Sequence, residues 1–447
     1  VKAAGADVAV DTYVTAQMRQ DHIPGLSLAV VRDGRVVLAR GYGFANVEAR
    51  LPATPDTVYE VMSLTKQFVA AAILRLVEAH RLTLNLPLAA ILPHLPPTWD
   101  PITLRQLLAQ TSGIPDYTEV PGFTGDLRQE VSPQALLQPV QARPLLFAPG
   151  TQWGYSNSNY LLLGLVLERV TGHSVAQALH DAVFAPLGMT ATRVNDLAAI
   201  IPRRAAGYTW RGTQLENAGY VSPTQMGAAG DVISTVLDLA RWDQALALGQ
   251  LLTRSDTALM ATPTHLPDGT LAPYGLGTEL DMVNGHRVVG HQGSGLGFNA
   301  TLARFVDDHL TVIVLCNLTG APSQPIARHI ATLYLPALSY ASEHAIADPE
   351  PGTTARLREV LVSLQHGSVN PAFFAPSARA GLQGLGQEGR RLLGSLGPLH
   401  TFALLQRTVT ARQRVYRYRA VFGTTPLIWS FTLDIQGRIV NFAPQQQ

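Results

Sequence analysis

Lysine is nearly missing from this chain. Of 447 residues only Lys2 and Lys66 are lysine, and every other basic position is arginine or histidine. Arginine serves wherever positive charge alone is needed. Lysine differs in that it loses its proton near neutral pH when buried. Lys66, the interior one, therefore needs a chemical reason. Cysteine is scarcer still. Cys316 is the single one, which excludes an internal disulfide. It sits in the apolar run Thr311 to Cys316 and reads as a small buried hydrophobe in a core strand. No Cys/His cluster has zinc-site spacing, so neither metal nor cofactor is expected. No apolar run approaches the roughly 20 residues that span a bilayer, so no transmembrane segment is expected. Charged residues make up only 15% and apolar ones 47%, which excludes a disordered chain. A net charge of +1 argues against nucleic acid as the main partner. The chain opens with Val1, which fits a mature chain after leader removal or an artificial boundary.

That near-zero charge hides a split. Before Thr353 the sequence holds 22 Lys/Arg against 29 Asp/Glu; from Thr353 onward it holds 11 arginines against 3 acids. The last stretch differs in kind. Residues 7–22 read as an amphipathic helix. Gly25–Val31 and Arg35–Tyr42 read as strands joined by the turn Arg32-Asp33-Gly34. Helical text follows from Ser63 to about Ala79, over Asn159–Val170 and over Asp238–Leu248, among Pro/Gly loops. Strand text returns at Gly275–Met282, Arg287–Gly290, Phe298–Phe305 and Leu310–Leu315, and a helix at about Gln324–Leu335. Strands at both ends flanking a helical middle predict an α+β fold. One antiparallel sheet is completed by N- and C-terminal segments, and residues from about 60 to 255 form a large helical lobe. This gives a domain over 1–340, a linker over 341–352 and a small α+β module over 353–447. In the module, helical text at Thr354–Gln365, Pro371–Phe374 and Ala378–Leu393 precedes four strand-like runs, at 400–409, 412–422, 426–434 and 438–443. They predict a four-stranded antiparallel meander, similar to small nuclear-transport-factor-like or cystatin-like sheets. Arg412, Arg414, Arg417 and Arg419 sit close together, and Tyr416 and Tyr418 alternate with Arg417 and Arg419, which predicts a solvated basic face over inward tyrosines.

Three motifs bear chemistry. In Ser63-Leu64-Thr65-Lys66 the serine and the lysine share one helix face. A desolvated neutral lysine is a base for that hydroxyl. Trp153-Gly154-Tyr155-Ser156-Asn157 stands directly before a helix. Its tyrosine presents a phenol, and Asn157 an amide, to a substrate or to the lysine. Gly290-His291-Gln292-Gly293-Ser294-Gly295 ends a strand, where glycines admit a close substrate backbone and an N–H completes an oxyanion hole. Gly384-Leu385-Gly386-Gln387-Glu388-Gly389 matches a dinucleotide pattern but lies in helical text with no strand ahead, and is set aside. Neither G-x-S-x-G nor H-E-x-x-H occurs.

Together the three motifs resemble the serine β-lactamase and penicillin-binding protein superfamily, in its class C β-lactamase-like branch. There the chain order is S-x-x-K, Y-x-N, then [K/H/W]-x-G. Here Ser63–Lys66, Tyr155–Asn157 and His291–Gly293 follow that order, 92 and 136 residues apart. Leu107–Ile114 and Ala228–Thr235 are similar to two further family segments, so the resemblance covers about residues 10–335. It implies the β-lactamase/transpeptidase-like fold and a serine hydrolase. Ser63 would be the acylated nucleophile, and Lys66 and Tyr155 would share the base work. Asn157 would bind substrate, and His291 and Gly293 would line the strand edge. The backbone N–H groups of Ser63 and Ser294 would form the oxyanion hole. The resemblance also implies peptide or small-molecule substrates, cell-wall peptides among them, and a periplasmic or secreted location. Histidine at 291 replaces the lysine of the branch's β-lactamases. That places D-peptidase and family VIII-type esterase activity ahead of β-lactam hydrolysis, with a non-hydrolytic penicillin-recognising protein as the rival. Gln110 replaces the family's usual histidine, at a position read as structural.

Overall fold

The computed structural model describes residues 2–120, 123, 127–339, 344–382, 384–409 and 413–445. They form two compact units, residues 1–334 and 335–447.

The first unit is built on a seven-stranded antiparallel sheet. Its strands are β1 (Gly25–Arg32), β2 (Arg35–Asn46), β3 (Leu51–Pro52), β4 (Glu279–Val283), β5 (His286–Gly295), β6 (Phe298–Phe305) and β7 (Leu310–Cys316). The spatial order is β3-β2-β1-β7-β6-β5-β4. The β1–β2 hairpin turns on two residues, Asp33 and Gly34, both with positive φ. That backbone matches the right-handed strand twist, which is why Asp-Gly is favoured there. The hairpin joins the later strands through β1 and β7, which pair from Leu26↔Cys316 to Arg32↔Leu310. β1, β6 and β7 are buried almost throughout, so their apolar text is continuous rather than alternating. Cys316 ends β7 as a buried free thiol.

Between β3 and β4 the chain makes the helical lobe. Its two central helices are α2 (Thr65–Glu78) and α3 (Asn157–Thr171); α1 is the N-terminal helix Lys2–Gln20. α3 ends on Gly172 in the left-handed conformation, the usual stop. Phe68 of α2 packs edge-on against Phe184 and against Trp242 of α4 (Val236–Leu248). Thr235 caps α4 with its side chain and moves the helix start ahead of the predicted Asp238. The last helix of the unit, α5, spans Ser323–Tyr334. One sequence expectation fails here. Residues 275–278, read as strand, form a turn against the lobe. Gly277 has φ +82 and its N–H donates to Leu108 O, while Leu276 N–H donates to Leu259 O.

In the second unit α6 (Pro351–Gln365) and α7 (Leu385–Leu393) accompany a four-stranded antiparallel meander: β8 (Leu399–Val409), β9 (Gln413–Phe422), β10 (Thr425–Asp434) and β11 (Ile439–Gln445). The expected linker is largely absorbed. Pro351 takes the first turn of α6, where its missing N–H costs nothing. Ile346 N–H donates to Leu404 O, and Glu350 accepts from Arg407, Arg414 and Tyr416. Residues 340–343 of that linker, and Arg412 of the basic run, lie outside the described residues. Tyr416 and Tyr418 are buried as expected. The arginine face is not simply solvated, because Arg414 is tied to Glu350 and Arg417 donates to Gln406. Gly384–Gly389 is helix or helix cap, with no strand leading into it.

One buried ion pair links helix to sheet in the first unit. Arg304 Nε of β6 donates to Asp243 Oδ1 of α4 at 2.6 Å, and Thr311 of β7 donates to the same oxygen at 2.9 Å. Removing the carboxylate leaves a guanidinium in the core. Asp243→Ala is expected to lower the stability of this unit by about 3–5 kcal/mol. Asp307→Ala, which breaks the exposed pair with Arg287, is expected to cost less than about 1 kcal/mol. Urea unfolding followed by tryptophan fluorescence checks both; equal losses would show that the buried pair ties nothing together.

Candidate active site

Ser63 does not open the α-helix, as its sequence position predicts. It lies in a single 3-10 turn, Met62–Leu64, and α2 begins at Thr65. Met62, just before it, holds φ +50. A side chain in the left-handed region is strained and persists where its surroundings enforce it, often at functional sites. Ser63 is partly open to solvent, whereas Lys66 one turn on has no exposure. α2 explains the difference, since Thr65 through Leu74 are all buried. The helix runs through the lobe core and takes Lys66 with it.

The Lys66 amine has three neighbours. Its Nζ lies 2.9 Å from Ser63 Oγ, and it donates to Asn157 Oδ1 at 2.9 Å and to Ala229 O at 2.7 Å. Burial lowers its pKa from 10.5 to about 7, with the carboxylates of Asp116 and Glu279 pulling the other way. The neighbours suit the neutral amine. Two are pure acceptors and take its two N–H bonds. The third is a hydroxyl, able to donate to the nitrogen lone pair.

Tyr155 and Asn157 arrive on the loop that leads into α3. Gln110, itself at φ +59, fixes that loop. Its Oε1 accepts from Ser156 N–H and from Asn159 Nδ2, and its backbone carbonyl accepts from Gly154 N–H. The Gln110 position thus acts on the loop's shape. The Tyr155 hydroxyl donates to Ser63 Oγ at 3.0 Å. Burial pushes its pKa well above the usual phenol range, and the bond to Ser63 offsets this only in part. Tyr155 is therefore held protonated. A chain of donors runs Tyr155 Oη to Ser63 Oγ to Lys66 Nζ.

The third piece is β5. His291 is almost fully buried beside Tyr155, with ring centroids 6.2 Å apart. Its Nδ1 donates to Gln292 O at 2.5 Å, which leaves Nε2 to accept from the Tyr274 hydroxyl at 2.9 Å. Burial lowers the imidazole pKa, and nearby Lys66 adds to this against the pull of Glu279. The ring is neutral. Gly293 shows how closely this strand meets the Ser63 turn: a Cβ there would lie 2.2 Å from Val61 O. A Cβ on Gly295 would strike the Met62 side chain at 2.5 Å. Ser294, between them, is exposed at the strand end and lines a cavity together with Met62. All seven residues singled out from sequence are thereby gathered around the Ser63 turn.

Three residues escaped the sequence reading. Asp116 Oδ2 accepts from both the backbone N–H and the side-chain amide of Asn157, which aims Asn157 Oδ1 at Lys66. Its signal was its place just after the Thr111–Ile114 segment. Tyr274 and Glu279 frame His291, and Glu279 Oε1 lies 3.5 Å from Nδ1. Nothing in the sequence marks them, because Glu279 reaches His291 through its pairing with Gly290 and Tyr274 through the turn ahead of β4. Among the described residues no helix is long and apolar enough to cross a membrane, and no cluster of acidic, histidine or cysteine side chains could hold a metal.

Comparison with known proteins places the chain among relatives of known fold. Protein flp of Staphylococcus aureus (strain MW2) is 28% identical over 340 residues, 72% of this chain and 65% of that protein. The D-aminopeptidase of Brucella canis is 30% identical over 326 residues, 70% of this chain and 60% of that enzyme. The chain thus spans less than two thirds of either relative's length. Among solved structures, the octameric penicillin-binding protein homologue from Pyrococcus abyssi superposes with a TM-score of 0.67 at 25% identity. That match covers 98% of this chain and 95% of the other. A D-stereospecific amidohydrolase from Streptomyces sp. gives a TM-score of 0.59 at 29% identity, over 70% of this chain and 94% of its own. The Beta-lactamase family model matches residues 10–335. The chain belongs to the beta-lactamase family.

Proposed function

We propose that the protein is a serine hydrolase that forms an acyl-enzyme on Ser63 and cleaves amide or ester bonds of D-amino-acid peptides and small esters. The observation that carries this is the buried Lys66 amine, 2.9 Å from the Ser63 hydroxyl. The names of a D-aminopeptidase and a D-stereospecific amidohydrolase among the similar proteins support the substrate class.

Sequence left the base work shared between Lys66 and Tyr155; the electrostatics favour a division. Lys66, with its pKa near 7, takes the Ser63 proton as Oγ attacks the substrate carbonyl carbon. Negative charge gathers on the former carbonyl oxygen, facing the backbone N–H groups of Ser63 and Ser294. The carbon–nitrogen or carbon–oxygen bond then breaks. The leaving atom takes the Tyr155 proton, and the Lys66 ammonium restores it. Asn157, aimed by Asp116, holds Lys66 and the substrate amide. Water, deprotonated through the same pair, releases the acyl group. His291 lines the strand edge as a neutral ring, which makes it a weak partner for the carboxylate of a β-lactam. Penicillin turnover is therefore a minor activity in this reading.

Two measurements test it. Incubation with a D-amino-acid p-nitroanilide and with benzylpenicillin, followed by intact mass and by nitroaniline release, is expected to show turnover or an adduct that Ser63→Ala abolishes. Lys66→Arg, which keeps the charge and loses the lone pair, is expected to cost roughly 100- to 10,000-fold in kcat/KM. Retained activity in Lys66→Arg would remove Lys66 from the mechanism. The second measurement is a pH profile. The neutral amine is the active form, so kcat/KM rises with pH through about 7 and then levels. A fall through that range would assign the base elsewhere.

A further inference from the structure

Beside the site lies a cavity of about 170 Å³, room for roughly five groups of water size. It begins where the Ser63 machinery ends. Met62, which precedes Ser63, and Ser294, which follows Gly293, both line it, whereas Tyr155 and Asn157 do not. The cavity therefore lies off the side from which the leaving group receives its proton, on the side left for the acyl half. Its walls include Met62, Met226 and Leu296, flexible apolar surface that suits an aliphatic stem.

Two carboxyl groups also line it. Asp231 and Glu60 both face the cavity, with Asn195 between the two chains of contact. Glu60 accepts from Asn195 Nδ2 at 3.3 Å and has Arg204 at 3.9 Å. Asp231 has only its own backbone N–H to oppose the effect of burial. Its Oδ1 is shut off from solvent and receives no hydrogen bond. Its backbone is fully used, with N–H donating to Gly227 O and the carbonyl accepting from Asn195 N–H. Burial drives its carboxyl well above the usual range, and among the described residues no cation counters it. A carboxyl group buried this way is costly, and an incoming cation offsets the cost.

We propose that this cavity is the subsite for the acyl half of the substrate, and that it selects a D-residue bearing a primary ammonium on an aliphatic stem, with Asp231 as counter-ion. The proposal rests on the reading of Ser63 as nucleophile, which fixes where the acyl half lies. The stem runs along the methionines and the ammonium reaches Asp231 and Glu60. A neutral stem of equal length fills the same walls but leaves the carboxyl unpartnered.

Binding separates this proposal from the question of turnover. The full-length Ser63→Ala protein is titrated with Nα-acetyl-D-lysine amide and with Nα-acetyl-D-norleucine amide, which lacks the side-chain ammonium, by ligand-observed NMR. The lysine amide is expected to bind about tenfold or more tightly. Adding Asp231→Asn is expected to erase that preference and leave norleucine amide binding little changed. Glu60→Gln, at the partly exposed second carboxyl, supplies a second variant and is expected to weaken the preference for the lysine amide severalfold. Equal binding of the two amides, or a preference that survives both substitutions, would overturn the proposal. Loss of Ser63-dependent turnover with the binding preference intact would instead sink the mechanism and leave the subsite standing.

Discussion

The structure depends on keeping one amine dry. Lys66 sits on a helix whose surface is buried almost all round, so desolvation is the largest influence on its pKa. Neutral, it has two N–H bonds and a lone pair, and the fold supplies two acceptors and one hydroxyl. Ser63 comes from the turn just before α2, whereas Asn157, at the start of α3, and Ala229, in the 3-10 turn Gly227–Ala229, come from distant parts of the chain. An arginine could not lose its proton there. This explains why a chain that otherwise uses arginine keeps a lysine at this one interior place.

Around the amine, close backbone approach does what side chains could not. The end of β5 presses on the Ser63 turn so tightly that Gly293 has no room for a Cβ, and Met62 is held at positive φ beneath it. Orientation of the side chains follows from a second ring of partners. Asp116 aims Asn157, Gln110 shapes the Tyr155 loop, and Gln292 with Tyr274 fixes the proton on His291. An active arrangement is held to tenths of an ångström by such neighbours rather than by its own members.

The members were legible and the neighbours were not. Ser63 and Lys66 stand three apart, Tyr155 and Asn157 two apart, His291 and Gly293 two apart; local spacing reveals what local geometry brings together. Tyr274 and Glu279 reach the site through long-range packing, which leaves no mark in spacing, while Asp116 and Asp231 sit beside or within segments whose resemblance gave them no role. The sheet was legible for a related reason. Asp33-Gly34 dictates its own turn, and the apolar runs of β1, β6 and β7 reflect burial on both faces. Residues 275–278 misled because Gly-Leu-Gly is as compatible with a tight turn as with a strand, and contacts with the lobe decide between them. The linker over 341–352 was drawn too long because proline was read as a breaker, whereas Pro351 begins a helix.

The pairing of β1 with β7 has a consequence for how the molecule comes into being. Leu26 meets Cys316, so the sheet's centre is closed by segments made near the beginning and near the end of the first unit. The first hairpin leaves the ribosome long before its partner exists, with a bare strand edge and a buried-type apolar face. Folding of this unit is correspondingly non-local and slow, because a long loop must be closed before the central contacts repay it. Ser63 and Tyr155 are likewise synthesised well ahead of β5, the strand that completes their surroundings. Ser63 thus waits through about half of the chain's synthesis for the strand that completes its surroundings.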